Sequence, residues 1–302
     1  MASAGAAGEM PRRMKSPHPD VTFRLLTPAD LAAADQLREF AGWNQTPRDW
    51  EGYLEFEPAG CFAAELAGQV VGTATTITYG RDVGWIGMVL VHPEQRRHGI
   101  GSVLLNRCLD HLRARGIRSI KLDATPMGRA VYLPMGFVDE YDLSRFQGIA
   151  GPEPAADRAM LEPLGAAVWA DVVEFDAEIF GVARPAVLRS LAAREPESCF
   201  VVRTGGVVRG FLMARTGRNA VQVGPWLARD DAAAAALLAG VVRRHAGQRM
   251  FIDVPAPNTT GAALMREIGF SVQRGYTRMF LGENPRPGVP ARVFSTSGAE
   301  KG

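Results

Sequence analysis

The stretch His92 to Leu105, HPEQRRHGIGSVLL, sets two arginines and two glycines between an apolar run and an amphipathic segment. Ile100, Val103, Leu104, Cys108 and Leu112 recur at three- and four-residue steps, which makes one apolar helical face, and Gly116 follows Arg113 and Arg115 as a cap. The loop therefore sits at a helix N-terminus, where the first-turn amides have no intrahelical partner and the dipole is positive. Gly99 and Gly101 keep side chains clear of those amides, while Arg96 and Arg97 add charge suited to bidentate phosphate contacts. The chemistry implied is the holding of a phosphate or pyrophosphate.

Two nucleotide loops fit less well. A Walker A loop needs Lys-Ser/Thr after its last glycine, and Gly101 is followed by Ser102-Val103. A Rossmann fingerprint finds Gly99-Ile100-Gly101 and Asp123 further on, but Leu104 stands where its third small residue belongs, and HPEQRRH separates the strand from the first glycine.

The elements that position this loop read directly. Trp85 to Val91, WIGMVLV, is a short apolar run closed by His92-Pro93, as expected of a buried central strand. A short strand is expected over 118–123 and a last helix ends at Gly136. The same order recurs later: CFAAELAGQVVG (Cys61 to Gly72) matches CFVVRTGGVVRG (Cys199 to Gly210) without a gap, and MGF at Phe137 matches IGF at Phe270. Each copy opens with a hairpin hinged at Gly68 or at Gly205-Gly206, and continues with strands at 85–91 and 118–123, or 220–226 and 249–254. A tandem duplication follows, joined by the Pro/Gly/Ala-rich GIAGPEPAAD, Gly148 to Asp157.

Length and composition agree with that division. A chain of 302 residues has room for two domains, and 47% hydrophobic with 22% charged residues is ordinary for a globular protein. No run approaches a membrane span, and residues 1–20 lack a secretory apolar core and read as a disordered tail, so a cytoplasmic location and no membrane partner are expected. A net charge of +2 with scattered arginines argues against nucleic acid. Cys61, Cys108 and Cys199 have neither disulfide nor ligand spacing, so reduced, buried thiols and no metal are expected.

Arg96-Arg97-His98-Gly99-Ile100-Gly101 resembles the R/Q-x-x-G-x-G/A pyrophosphate loop of the GNAT acyl-CoA N-acyltransferases, and it follows the strand GMVLVHP as that family's loop does. LDATPMGRAVYLPMGF, Leu122 to Phe137, is similar to the family segment in which a tyrosine lies five residues before the Phe of a closing x-G-F. The resemblance covers about residues 21–146. It implies an α/β fold of two GNAT-like domains in tandem, each a mixed, mostly antiparallel sheet flanked by helices: a catalytic domain at 21–147 and a degenerate one at 158–302.

The resemblance also implies where acetyl-CoA, as cosubstrate, lies. Its pantetheine arm pairs with Met88, Val89, Leu90 and Val91, and its pyrophosphate takes Arg96, Arg97, His98, Gly99, Ile100, Gly101 and Ser102. A primary amine of a small molecule then attacks the thioester directly, in a ternary complex. That attack needs an oxyanion donor, for which amides near Val89 or Leu90 serve, and a proton donor, for which Tyr132 serves because its phenol, with a pKa of about 10, is protonated at neutral pH. GWIGMVLV carries no acid to accept the amine's proton; Asp123 is the nearest candidate, a water relay is the alternative, and Asp123 could instead cap the helix begun near Thr125. The acceptor is expected under the early helices, near Trp43 and Asn44.

In the second copy Ala232 and Ala234 stand opposite the loop glycines, Met265 stands opposite Tyr132, and Asp230-Asp231 repel a phosphate. That half is expected not to bind CoA but to stand in for a second subunit, with Trp226, Asp253 and Asn258 as candidates to wall the acceptor pocket, giving a monomer with an internal pseudo-dimer. A non-catalytic acyl-CoA sensor or scaffold is the alternative function.

Overall fold

The computed structural model describes residues 19–151 and 161–302. All but the last two residues of the expected N-terminal tail, and most of the expected joint, lie outside them.

The first half runs β1 (Thr22–Leu25), α1 (Leu31–Phe40), α2 (Pro47–Phe56), β2 (Phe62–Leu66), β3 (Gln69–Tyr79), β4 (Val83–Val91), α3 (Ile100–Ala114), β5 (Ser119–Ala124), α4 (Pro126–Tyr132) and β6 (Val138–Ile149). The second repeats that order as β7 (Leu161–Pro163), α5 (Trp169–Phe180), α6 (Pro185–Ala192), β8 (Cys199–Thr204), β9 (Val207–Thr216), β10 (Val221–Ala228), α7 (Asp231–Arg244), β11 (Arg249–Pro255), α8 (Thr259–Glu267) and β12 (Ser271–Gly282), and then adds β13 (Val293–Ser295). Both expected hairpins form. Ala67-Gly68 and Gly205-Gly206 make two-residue turns with positive φ at both positions, the backbone twist that tight hairpins require.

The halves are not two separate sheets in tandem. One sheet runs β1-β2-β3-β4-β5-β12-β6-β11-β10-β9-β8-β7, so each half gives its last strand to the other. β12 pairs with β5, β6 pairs with β11, and the two exchanged strands pair with each other at the centre. The expected joint accordingly starts too early. Gly148 is inside β6 opposite Met250, where a Cβ would collide with the Phe270 ring at 2.2 Å.

The exchange is sealed by two matched buried ion pairs. Arg278 on β12 donates Nε and NH2 to the Asp123 carboxylate at 2.8 and 2.9 Å, and Arg145 on β6 donates the same pair of groups to Asp253 at 2.7 Å each. A bidentate fork offers two parallel bonds in one plane, so each pair fixes register as well as charge.

Alternation along the strands sorts the core. Trp85, Met88 and Leu90 of β4 and Phe211 and Met213 of β9 face a core shared by both halves, covered by α1, α2, α5 and α6. Ile86 of β4 and the apolar stripe of α3, with Ile100, Leu104, Leu105, Cys108 and Leu112 buried, form a second core on the other face. Leu212, Ala214 and α7 do the same in the second half. Cys61, Cys108 and Cys199 are free and buried, as their spacing predicts. Among the described residues no helix is long and apolar enough to cross a membrane.

Because each half is completed by the last strand of the other, residues 21–150 and 160–302 expressed separately are expected not to fold alone but to form one complex when co-expressed. Circular dichroism and gel filtration of the separate and mixed pieces check this; two pieces that each unfold cooperatively as monomers would contradict it.

Candidate active site

The parallel pair β4–β5 is brief. Val83, Gly84 and Trp85 pair with Ser119, Ile120 and Lys121, and from Ile86 onward β4 has no strand partner on that side. The divergence coincides with a bulge. The β3–β4 register shifts between Thr73 and Thr75, and Met88 adopts φ 49°, which turns the following residues of β4. Met88 and Leu90 face the shared core and Val89 and Val91 face the α3 side, so the four expected contact residues present backbone, rather than one common side-chain face, to the gap.

At the end of β4 lies the loop. Arg97 (φ 66°) and Gly99 (φ 77°) are left-handed on either side of His98, and α3 begins at Ile100. The first backbone bond of the helix is Val103 N–H to Gly99 O, at 3.1 Å. The amides of Arg97, Gly99, Ile100, Gly101 and Ser102 thus have no acceptor among the described residues, while that of His98 closes a turn over 96–97, and the left-handed residues turn the open amides into a concave anion nest. Arg96 bonds Val91 O through Nε, while Arg97 and His98 are exposed and Arg97 has no carboxylate partner among the described residues. A Cβ at Gly101 would meet only Val91, at an ordinary 3.5 Å. Neither packing nor φ demands glycine there, which fits a position kept bare for a ligand.

Tyr132 ends α4, held in place by the Thr125 cap on Gly128 N–H and by ring contact with Phe137, 5.8 Å between centroids. Its hydroxyl has no hydrogen-bond partner among the described residues. Burial, with a smaller push from Cys108, raises the phenol above its usual range. The Cys108 thiol is raised well above its own ordinary value by burial, which makes it inert as a nucleophile.

Two expected site residues have other occupations. Both oxygens of Asp123 are taken by the Arg278 guanidinium, itself braced by the Tyr141 hydroxyl and stacked on Trp85. Burial raises the Asp123 carboxyl against the pull of Arg278, and its side chain is 1% exposed. Thr125, not Asp123, caps α4. Asn44 is buried and saturated: its Nδ2 donates to Ala220 O and Gln222, and its Oδ1 accepts from the amides of Asn219 and Ala220, so it stitches the halves together. Trp43 is partly buried against the shared core, and its carbonyl accepts from Arg38 and Asn219.

The second half diverges in the same place and is closed. β10 pairs with β11 only over Val221–Val223, and β13 then enters the gap, with Trp226 opposite Ser295 and Leu227 opposite Val293. Ser295 Oγ accepts from Asp253 N–H and Asn258 Nδ2 holds Val293 O. Trp226 stacks on Phe294, so Trp226, Asp253 and Asn258 serve this closure rather than an acceptor. At the helix, Asp230 caps Ala233 N–H and pairs with Arg209, leaving a carboxylate where the first half has open amides.

The residues that sequence reasoning missed come after β13. Glu300 packs on Gly87 of β4, where a Cβ would stand 3.0 Å from it. Trp85 Nε1 donates to Ala299 O and Tyr79 to Lys301 O. Lys301 Nζ reaches Asp49, Glu300 and the Tyr53 hydroxyl at 2.9, 2.7 and 3.2 Å. This tail lies against β4 and α2 of the first half. Only its charged pair Glu300-Lys301 in an otherwise small-residue run hints at it in the sequence.

Residues 30–137 match a family profile described as "Acetyltransferase (GNAT) family", and residues 172–295 one described as "Acetyltransferase (GNAT) domain". A holothin acyltransferase of Pseudoalteromonas is 26% identical over 263 residues, covering 86% of this chain and 88% of that protein. A mycothiol acetyltransferase of Thermobispora bispora is 37% identical over 91 residues, 27% of this chain and 31% of that protein. In fold, the chain is similar to a proposed acetyltransferase of Pyrococcus horikoshii, with TM-score 0.80, 23% identity and coverage of 98% and 100% of the two chains. It is also similar to a tandem GNAT protein from the clavulanic acid biosynthesis pathway, with TM-score 0.61, 16% identity and coverage of 87% and 98%.

Asp123→Asn is expected to cost about 3–5 kcal/mol of stability, the usual penalty for stranding one charge of a buried pair. Urea unfolding checks this. A variant as stable as wild type but with its acid-limb rate profile displaced would restore Asp123 as a base.

Proposed function

This chain belongs to the GNAT acetyltransferase family, with two such domains in tandem, and we propose that its first half transfers an acetyl or other short acyl group from acyl-CoA to a primary amine of a small molecule. The observation that carries this is the group of amides between Arg97 and Ser102 without acceptors among the described residues, at the end of a strand whose edge is bare. A diphosphate carries several oxygens at the spacing of such a nest, and Arg97 adds an exposed cation beside it. Acyl-CoA supplies the activated thioester when bound, and the chain supplies alignment and proton handling.

Arg97 through Ser102 hold the diphosphate, and the bare edge of β4 from Met88 to Val91 takes the pantetheine arm by backbone pairing. The bulge at Met88 turns an amide near Val89 or Leu90 toward the thioester carbonyl, where a fixed N–H dipole favours developing negative charge. Tyr132 Oη has no other partner and stays protonated, so it is available to give its proton to the departing thiolate. Asp123 is not proposed as base, since both its oxygens bond Arg278; water takes the amine's proton. The amine arrives on the α1–α2 face, over the floor made by Gly87 and Glu300. Full-length similarity to an acyltransferase supports catalysis over a sensor role.

The second half takes no acyl-CoA in this reading, because β13 fills its gap and Asp230 occupies its helix end. It serves instead as an in-chain partner subunit, and the chain is proposed to be a monomer.

Tyr132→Phe is expected to lower kcat about tenfold to a thousandfold with CoA affinity unchanged, within the usual reach of general acid catalysis. Free-thiol release with an amine panel measures the first and calorimetry the second; equal rates in both proteins would remove Tyr132 from the chemistry. A group that acts when protonated loses activity as pH rises through its pKa. Since burial raises this phenol, wild-type kcat is expected to hold up to about pH 10 and fall only above it. An alkaline fall centred near pH 8 would point to another acid.

A further inference from the structure

An open cavity of about 300 Å³ lies where the first turn of α2, the end of α6 and the end of β9 meet, with Thr46, Arg48, Ser190, Arg194, Arg215 and Thr216 on its walls and Ala193 and Glu195 at its rim. Beneath it three cations meet two carboxylates. Asp49 Oδ1 accepts from Arg194 NH1 and Lys301 Nζ, each at 2.9 Å, and its Oδ2 from the Thr46 amide and hydroxyl. Glu300 Oε1 accepts from Lys301 Nζ and Arg215 NH2, and its Oε2 from Gln45. Both carboxylates are engaged by these donors, and Glu195 is the third acid at the cavity.

Two of the three cations are incompletely bonded. Arg215, with its side chain 6% exposed, makes one hydrogen bond, at 3.3 Å, and its NH1 is buried without an acceptor among the described residues. Arg194 Nε is in the same condition. A guanidinium carries five N–H donors, and a buried charged donor left unmet is costly, so these two residues call for a further anion. The hydroxyls of Ser190 and Thr216 also have no hydrogen-bond partner among the described residues. Of the other charges at the cavity, Arg48 is paired with Glu51 and Glu55, and Glu195 accepts from Thr216 N–H. Glu195 at the rim disfavours a dianion.

We propose that this cavity binds the carboxylate of a small molecule between Arg194 and Arg215, with Ser190 and Thr216 as supporting donors. A planar carboxylate matches the fork of a guanidinium and its unmet donors, and the space suits a ligand of amino-acid size. The cavity backs onto the acceptor face, because Arg215 holds Glu300 and Glu300 packs on Gly87. The carboxylate belongs either to the amine acceptor itself or to a separate small acid. Binding here does not depend on the acyl-transfer reading.

Ligand-observed NMR on the full chain without acyl-CoA, using butanoate, glycine, glutamate and inorganic phosphate, tests the site. Saturable carboxylate binding is expected, weakened about tenfold by Arg215→Lys, which keeps the charge on Glu300 but loses the planar fork. Ala193→Glu, at an exposed rim position apart from the ion pairs, should weaken it similarly without threatening the fold. Absence of carboxylate binding, binding equal in wild type and Ala193→Glu, or phosphate binding tighter than every carboxylate would each overturn the proposal. Turnover separates the two sources. If the acceptor carries the carboxylate, Ala193→Glu raises KM for an amino acid but not for the corresponding amine lacking the carboxylate; if the acid is separate, both KM values stay the same and butanoate still binds.

Discussion

A parallel strand pair that holds for three residues and then parts is the constraint on which the rest of this molecule depends. It occurs twice, at β4–β5 and at β10–β11, each time beside a register shift with the neighbouring antiparallel strand. Parting leaves a backbone edge unpaired inside a protein, and unpaired polar backbone must be met by something. The first half leaves its edge open and ends it in a loop of open amides. The second meets the same demand from within the chain, by laying β13 along the edge and closing the helix end with Asp230. Two copies of one fold therefore differ at this edge through a few local substitutions and one added segment.

The segment that disarms the second half also builds the first. After Ser295 the chain crosses to β4, sets Glu300 on Gly87 and sends Lys301 into Asp49. Burial pushes the Asp49 carboxyl up, but Lys301, Arg215 and Arg194 outweigh it and hold the group far below the ordinary carboxylate range. The exchanged strands β6 and β12 add a second tie, each locked by an arginine to an aspartate of the other half. The result is the arrangement of a strand-swapped dimer within one chain, and it explains why a half without an open cleft is retained.

What was legible in the sequence was what is set locally. The phosphate-type loop, the apolar face of α3, the hairpin turns and the tyrosine at the end of α4 each depend on residues within a helical turn or two of one another, and the duplication showed through their repeated order. The misreadings share a cause. Asp123 looked free because its partner Arg278 lies on the far copy's last strand, and Asn44 looked like a ligand-binding loop residue because Ala220 and Gln222 meet it only after folding. Strand exchange left no trace in hydrophobic periodicity, since a strand buried in either half carries the same pattern. The role of the tail was hidden for the same reason: Glu300 and Lys301 gain their meaning from Asp49 and Gly87.

The central claim is that the amides of Arg97 through Ser102 bind the diphosphate of acyl-CoA and so fix the site of reaction. Hydrogen–deuterium exchange of the full chain with and without acetyl-CoA tests it most directly. Marked slowing at residues 97–102 is expected on adding acetyl-CoA, with the corresponding helix start at Asp230–Ala234 unchanged. Exchange at 97–102 that acetyl-CoA does not alter, or protection appearing at Asp230–Ala234 instead, would contradict it.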